Sequence, residues 1–193
     1  MAKPYLSDEP LLQGVFEPIR CECDCPDLVI EGAVPEDLSG ALYRTGPNPQ
    51  FAPRGKYNPL QGDGMIHAFT ISSGRVSYRN RWVRTRRWSL EHDAGRALFA
   101  TSDPRDNDPL VAGVEDEGAA NTHILAHAGR LLALEEGHPP IEIEPDTLAT
   151  IGPFDFAGRL AGAMTAHPKI DPVTGELVFF GNFPASACAR ARR

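Results

Sequence analysis

Four short apolar segments follow one another between Asn121 and Ile151, at intervals of about 8 to 10 residues, with a tight turn after each. Thr122–Ala126 ends at His127-Ala128-Gly129, and Arg130–Glu135 ends at Gly137-His138-Pro139-Pro140. Ile141–Ile143 ends at Glu144-Pro145-Asp146, and Thr147–Ile151 completes the set. Turns this short join only antiparallel neighbours, so the segment predicts a four-stranded meander, the unit of a β-propeller blade. After Met164 the scheme restarts. A strand is expected through His167, then the turn Asp171–Gly175, then a strand over Glu176–Gly181.

The preceding residues carry the same punctuation. Gly and Pro number 18 each and are scattered between apolar stretches, as many strands and turns require. Residues 1–27 read as an extended arm carrying Pro4, Pro10, Pro18 and Pro26. Pro35–Gly40 predicts one helical turn, Ala41–Thr45 a strand, and residues 47–64 a long structured loop. Met65–Ile71 and Arg75–Arg84 predict a hairpin around Ser72-Ser73-Gly74. Ser89 is expected to cap a helix over Leu90–Ala100, and residues 101–121 an acidic connection. The fold class is thus all-β: an arm (1–27), an incomplete propeller (28–182) and an atypical tail (183–193). The tail, Ala185–Arg193, is low in complexity and carries no strand alternation. It suggests a truncation or a shift of reading frame.

The 193 residues suffice to bury a core, and no apolar run reaches the length of a membrane span. No secretory h-region is visible, so a cytoplasmic location is expected. Lys plus Arg is 19 against 26 Asp plus Glu, a net charge of −7, which is unfavourable for nucleic acid. Six Arg between Arg75 and Arg87, interleaved with Tyr78 and Trp82, are the one feature suggesting it. A charged hairpin edge accounts for them equally well.

No phosphate-binding glycine loop, nucleophile elbow or HExxH motif occurs. Cys21-Glu22-Cys23-Asp24-Cys25 could serve a soft metal, but zinc sites are usually built from two spaced pairs and only Cys188 lies downstream. Reduced thiols are the simpler reading. His123 and His127 are about 13 Å apart on a strand, too far for one ion. His92 and His138 read as solvated, and His67 as an organiser of the Gly62-Asp63-Gly64 loop or a ligand. His167 is held extended by Pro168 and is either a ligand or a satisfied structural histidine.

Six blocks in order carry a resemblance: Leu42–Phe51 (LYRTGPNPQF), Gly62–His67 (GDGMIH), Ala94–Phe99 (AGRALF), Ala120–His123 (ANTH), Leu132–Gly137 (LALEEG) and Thr165–Lys169 (TAHPK). Together they resemble the carotenoid cleavage oxygenases, a family that includes apocarotenoid and lignostilbene oxygenases. The resemblance implies a seven-bladed propeller with an axial non-haem Fe(II) held by four His, three of them beyond the end of this chain, and oriented by Glu. It implies O2-dependent cleavage of a conjugated C=C bond to two carbonyl products. His167 matches the first iron-binding His and is expected to point inward. Glu136 matches a carboxylate that orients the ligands, with Glu135 leaving the register open by one. Thr122 matches a position near the open side of the iron.

The substrate expected on that resemblance is an apolar polyene, with a stilbene as the alternative; the Arg44–Pro49 block leans towards carotenoids. Peripheral membrane contact is compatible with the family, and no nucleic acid is expected. The alternative of another class is a propeller fragment that binds without catalysing.

Overall fold

The computed structural model describes residues 8–181 and the backbone of 189–191. Eleven strands and one α-helix lie among them, arranged as three antiparallel sheets.

The first sheet is built on β2 (Gly40–Pro47), β3 (Gly64–Ser72) and β4 (Arg75–Trp82). The β3–β4 hairpin turns on Ser73 and Gly74, both at positive φ, with Ser72 opposite Arg75. That is the two-residue turn whose twist matches its strands. β1 (Cys23–Cys25) adds to the free edge of β4, giving the order β1-β4-β3-β2. The end of the expected arm is therefore part of the sheet. Its acids explain why. Asp24 pairs with Arg79 and Arg81, Glu22 takes the Trp82 amide and Arg84, and Asp27 meets Arg75.

The second sheet is the meander read from the sequence: β5 (His123–His127), β6 (Arg130–Leu134), β7 (Ile141–Ile143) and β8 (Thr150–Pro153), in that order. β8 starts later than expected. Glu144 draws the turn on by accepting from the Thr147 amide, and Leu148 takes a positive φ. The third sheet joins β9 (Lys169–Ile170), β10 (Leu177–Phe179) and β11 (Ala189–Ala191) in the order β11-β10-β9. The strand expected from Met164 begins only at Lys169, because Pro168 has no N–H to offer a ladder. Residues 189–191 pair with β10, contrary to the absence of a strand expected in the tail; residues 182–188 and 192–193 lie outside the described residues.

Strand β6 explains the stacking. Leu131 and Ala133 face one core with Ile66, Ala68 and Val83 of the first sheet side and Ile141, Ile143 and Leu148. Leu132 and Leu134 face a second core with Met164, Ala166, Leu177 and Phe179. A strand buried on both faces reads as an unbroken apolar run, as this one does.

Helix α1 (Arg86–Ala94) starts and stops earlier than Ser89 predicted. The Thr85 hydroxyl caps it by accepting from the Trp88 amide, and Gly95 ends it in the left-handed region at φ 67°. Beyond it Glu91 accepts the amides of Leu98 and Phe99, which turns the chain back. The expected helical turn at Pro35–Gly40 is a single turn closed by the Leu38 amide on the Pro35 carbonyl. No described helix is long and apolar enough to cross a membrane.

Candidate functional site

Thr122 immediately precedes β5, and Glu135 and Glu136 follow β6. Because His123 pairs with Leu134, and the Thr122 amide donates to the Leu134 carbonyl at 3.0 Å, these residues share one end of the second sheet. His167 reaches the same place from the segment that carries Met164 and Ala166 into the second core. There its Nε2 lies 3.2 Å from Glu136 Oε1. The ring does not point into a core: its side chain is 68% exposed, against 38% for Glu136.

Neighbouring Glu135 has different partners. Its Oε1 accepts from the Gly137 amide at 3.0 Å and lies 2.5 Å from His138 Nδ1. The hydrogen bond that His138 donates to Glu135 raises the imidazole above its ordinary pKa, outweighing the burial that lowers it. His138 is thus half-buried and paired, not solvated as expected. Thr122 turns its hydroxyl to the Asn121 side-chain carbonyl at 3.0 Å. Asn121 is buried and donates in turn to the carbonyls of Leu60 and Gly62. His123, which the sequence did not single out for this place, has its imidazole lowered by burial, then by the charges of His167 and Lys169. The signal was its position beside Thr122 at a strand start.

The other histidines are engaged elsewhere. His127 lies 3.1 Å from the Gly175 carbonyl, bridging the second and third sheets and separated from His123 by the length of β5. His67 Nδ1 is 2.7 Å from the Tyr78 hydroxyl on the first sheet. There a groove of about 570 Å³ is lined by Leu28, Arg44, His67, Phe69 and Tyr78. His92 is exposed but stacked on Trp88, with ring centroids 4.5 Å apart. Cys21, Cys23 and Cys25 are free thiols. Of the six clustered arginines, four pair with carboxylates of residues 22–27, and Arg87 is buried near Asp63, Glu91 and Asp116. That arrangement favours the reading of a neutralised sheet edge.

The donors can be weighed against the iron that the resemblance implies. Among the described residues, no group of three or more His, Cys, Asp and Glu side chains could hold a metal ion. One imidazole and one carboxylate meet, and the imidazole presents Nε2 to the carboxylate. These donors alone do not fit an iron ion. At this distance the carboxylate offers the imidazole an opposite charge whenever the ring is protonated.

Comparison with known proteins agrees over nearly the whole chain. The family model described as "Retinal pigment epithelial membrane protein", RPE65, matches residues 16–191. The isoeugenol monooxygenase of Pseudomonas nitroreducens is 41% identical over 177 residues, which is 91% of this chain and 37% of that protein. The lignostilbene dioxygenase structure of Pseudomonas brassicacearum superposes with a TM-score of 0.84 at 37% identity, covering 90% of this chain and 37% of that one. A point variant of the Synechocystis apocarotenoid oxygenase gives 0.70 at 35% identity, covering 84% and 37%. The chain spans little more than a third of the length of each of these relatives. With its family match running from the arm through β11, this chain belongs to the RPE65 family, that of the carotenoid oxygenases.

Proposed function

We propose that the chain forms the first blades of a β-propeller oxygenase that uses Fe(II) and O2 to cleave a conjugated C=C bond into two carbonyl products. The observation that carries this is the meeting of Glu136 and His167 at 3.2 Å inside a chain matched to the family over residues 16–191. His167 supplies an imidazole, and Glu136 places a carboxylate beside it. Thr122, at the same sheet end, borders the site. The higher superposition on a lignostilbene dioxygenase, 0.84 against 0.70 for an apocarotenoid oxygenase, favours an aryl-alkene or stilbene substrate over the carotenoid suggested by Arg44–Pro49.

One imidazole does not hold Fe(II) against water, so the 193-residue chain alone is expected to show neither stoichiometric iron nor turnover. Iron analysis and product assays on a stilbene and an apocarotenal test this; stoichiometric iron with turnover would refute it. The enzymatic reading is tested by grafting this chain in place of the corresponding third of the Pseudomonas brassicacearum lignostilbene dioxygenase. The chimera is expected to bind iron and cleave stilbene, and His167→Ala to lose both. A folded His167→Ala chimera that still turns over sinks the role given to His167.

A further inference from the structure

Helix α1 and the loop that enters β3 share a charged cluster: Arg87 and Glu91 from the helix and Asp63 from the loop, all three buried. One oxygen of each carboxylate is occupied by backbone. Asp63 Oδ2 accepts from the Gln50 amide at 3.0 Å, and Glu91 Oε1 from the amides of Leu98 and Phe99 at 2.8 and 2.9 Å. The other two oxygens, Asp63 Oδ1 and Glu91 Oε2, each stand 4.0 Å from Arg87 Nε. That is close enough to feel its charge and too far for a hydrogen bond. Asp63 Oδ1 and Arg87 Nε are both buried and have no hydrogen-bond partner among the described residues. Polar atoms left unmet in an interior are costly, and native proteins satisfy nearly all of them.

The chemistry of the three groups narrows what can satisfy them. Arg87 Nε–H needs an acceptor, which a cation is not, and two carboxylates repel an anion. Among the described residues no group of three or more His, Cys, Asp and Glu could hold a metal ion. What fits is a small neutral molecule that accepts one hydrogen bond and donates two. An oxygen about 2.8 Å from each of two atoms 4.0 Å apart joins them at an angle of about 90°, so the span admits a single atom.

We propose that Asp63, Arg87 and Glu91 form a binding site for one water molecule, which accepts from Arg87 Nε–H and donates to Asp63 Oδ1 and Glu91 Oε2. Three hydrogen bonds are the usual complement of a buried water. The water joins α1 to a loop that is itself tied down, since the Asp63 carbonyl accepts from the Asn48 amide at 2.6 Å and the Gly64 amide donates to the Ala119 carbonyl at 2.8 Å. It also solvates two carboxyls that burial pushes above their ordinary range and that Arg87 draws back only in part. Asp116, with Oδ2 3.7 Å from Arg87 Nη1, and Tyr57, whose hydroxyl feels the charges of Asp63 and Arg87, complete the surroundings.

The test uses the 193-residue chain with ¹⁵N-labelled arginine, the Arg87 Nε–H signal being assigned by its loss in Arg87→Lys. A cross-peak between that hydrogen and water is expected, with opposite signs of cross-relaxation in laboratory-frame and rotating-frame experiments, as a water held for longer than the protein takes to tumble gives. Labile protein hydrogens would imitate it, so three variants separate the sources. Tyr57→Phe removes the hydroxyl, and Asp63→Asn and Glu91→Gln each remove any carboxyl proton while leaving polar atoms for the water to bridge. The cross-peak is expected to persist in all three. Its loss in Tyr57→Phe assigns it to the hydroxyl, its loss in either amide variant assigns it to a carboxyl proton, and both results overturn the proposal. Absence of the cross-peak from the wild-type chain overturns it whether or not any variant folds.

Discussion

Replacing Gly64 by Ala adds one methyl group where no room exists. An added Cβ would lie 2.4 Å from the Ala120 carbonyl oxygen, 2.6 Å from that of Ala119 and 2.9 Å from the Ala120 carbonyl carbon. These are backbone atoms of the segment leading to Thr122, and that segment is itself tied to Gly64, whose amide donates to the Ala119 carbonyl at 2.8 Å. Relief therefore requires the two segments to part and that hydrogen bond to lengthen. Two effects oppose each other. Losing a glycine removes unfolded-chain entropy and stabilises by about 0.4–1 kcal/mol. Overpacking together with a strained buried hydrogen bond costs about 3 kcal/mol, so the destabilising effect wins. Urea unfolding followed by circular dichroism reads the net loss of about 2–2.6 kcal/mol directly, and a thermal scan is expected to fall by about 4–10 °C for a chain of this size. Gly46→Ala is the control, since nothing lies within 4 Å of its added Cβ. Wild-type stability in Gly64→Ala would refute the steric reasoning.

Three further expectations concern the cores and the histidines. Leu132→Ala, which opens a cavity beside Met164 and Leu177, is expected to cost about 2–5 kcal/mol in the same unfolding assay. In an NMR titration His138, raised by its bond to Glu135, is expected to titrate above the ordinary imidazole value of 6.5, and His123, lowered by burial and by His167, below it. Because the folded pKa of His138 is raised, the stability it contributes is complete below the unfolded value and is lost as pH rises through the folded one. Glu135→Gln is therefore expected to flatten the pH dependence of stability just above 6.5.

The meander was legible because its signals are local. The Ala128-Gly129 turn and the alternation around it depend on neighbours in the chain, and the apolar run Leu131–Leu134 announces a strand covered on both faces. What escaped depends on partners far away in sequence. Cys23–Cys25 reads as arm until Arg79 and Arg81, some fifty-five residues on, are laid beside Asp24. The helix start was hidden because Thr85 stands among arginines that look like strand edge. At the site, the resemblance left Glu135 and Glu136 interchangeable. In the fold the two have different partners, His138 for Glu135 and His167 for Glu136. His138 looked solvated because nothing in its own turn reveals Gly118 packed beneath it.

The double burial of β6 also bears on how the molecule comes apart. In a row of repeats that touch only along shared borders, each unit can melt nearly on its own. Here one strand belongs to two hydrophobic interiors at once, so loosening the first layer withdraws support from the last. The three layers should accordingly lose their structure together, and probes placed at opposite ends of the stack should report a single midpoint.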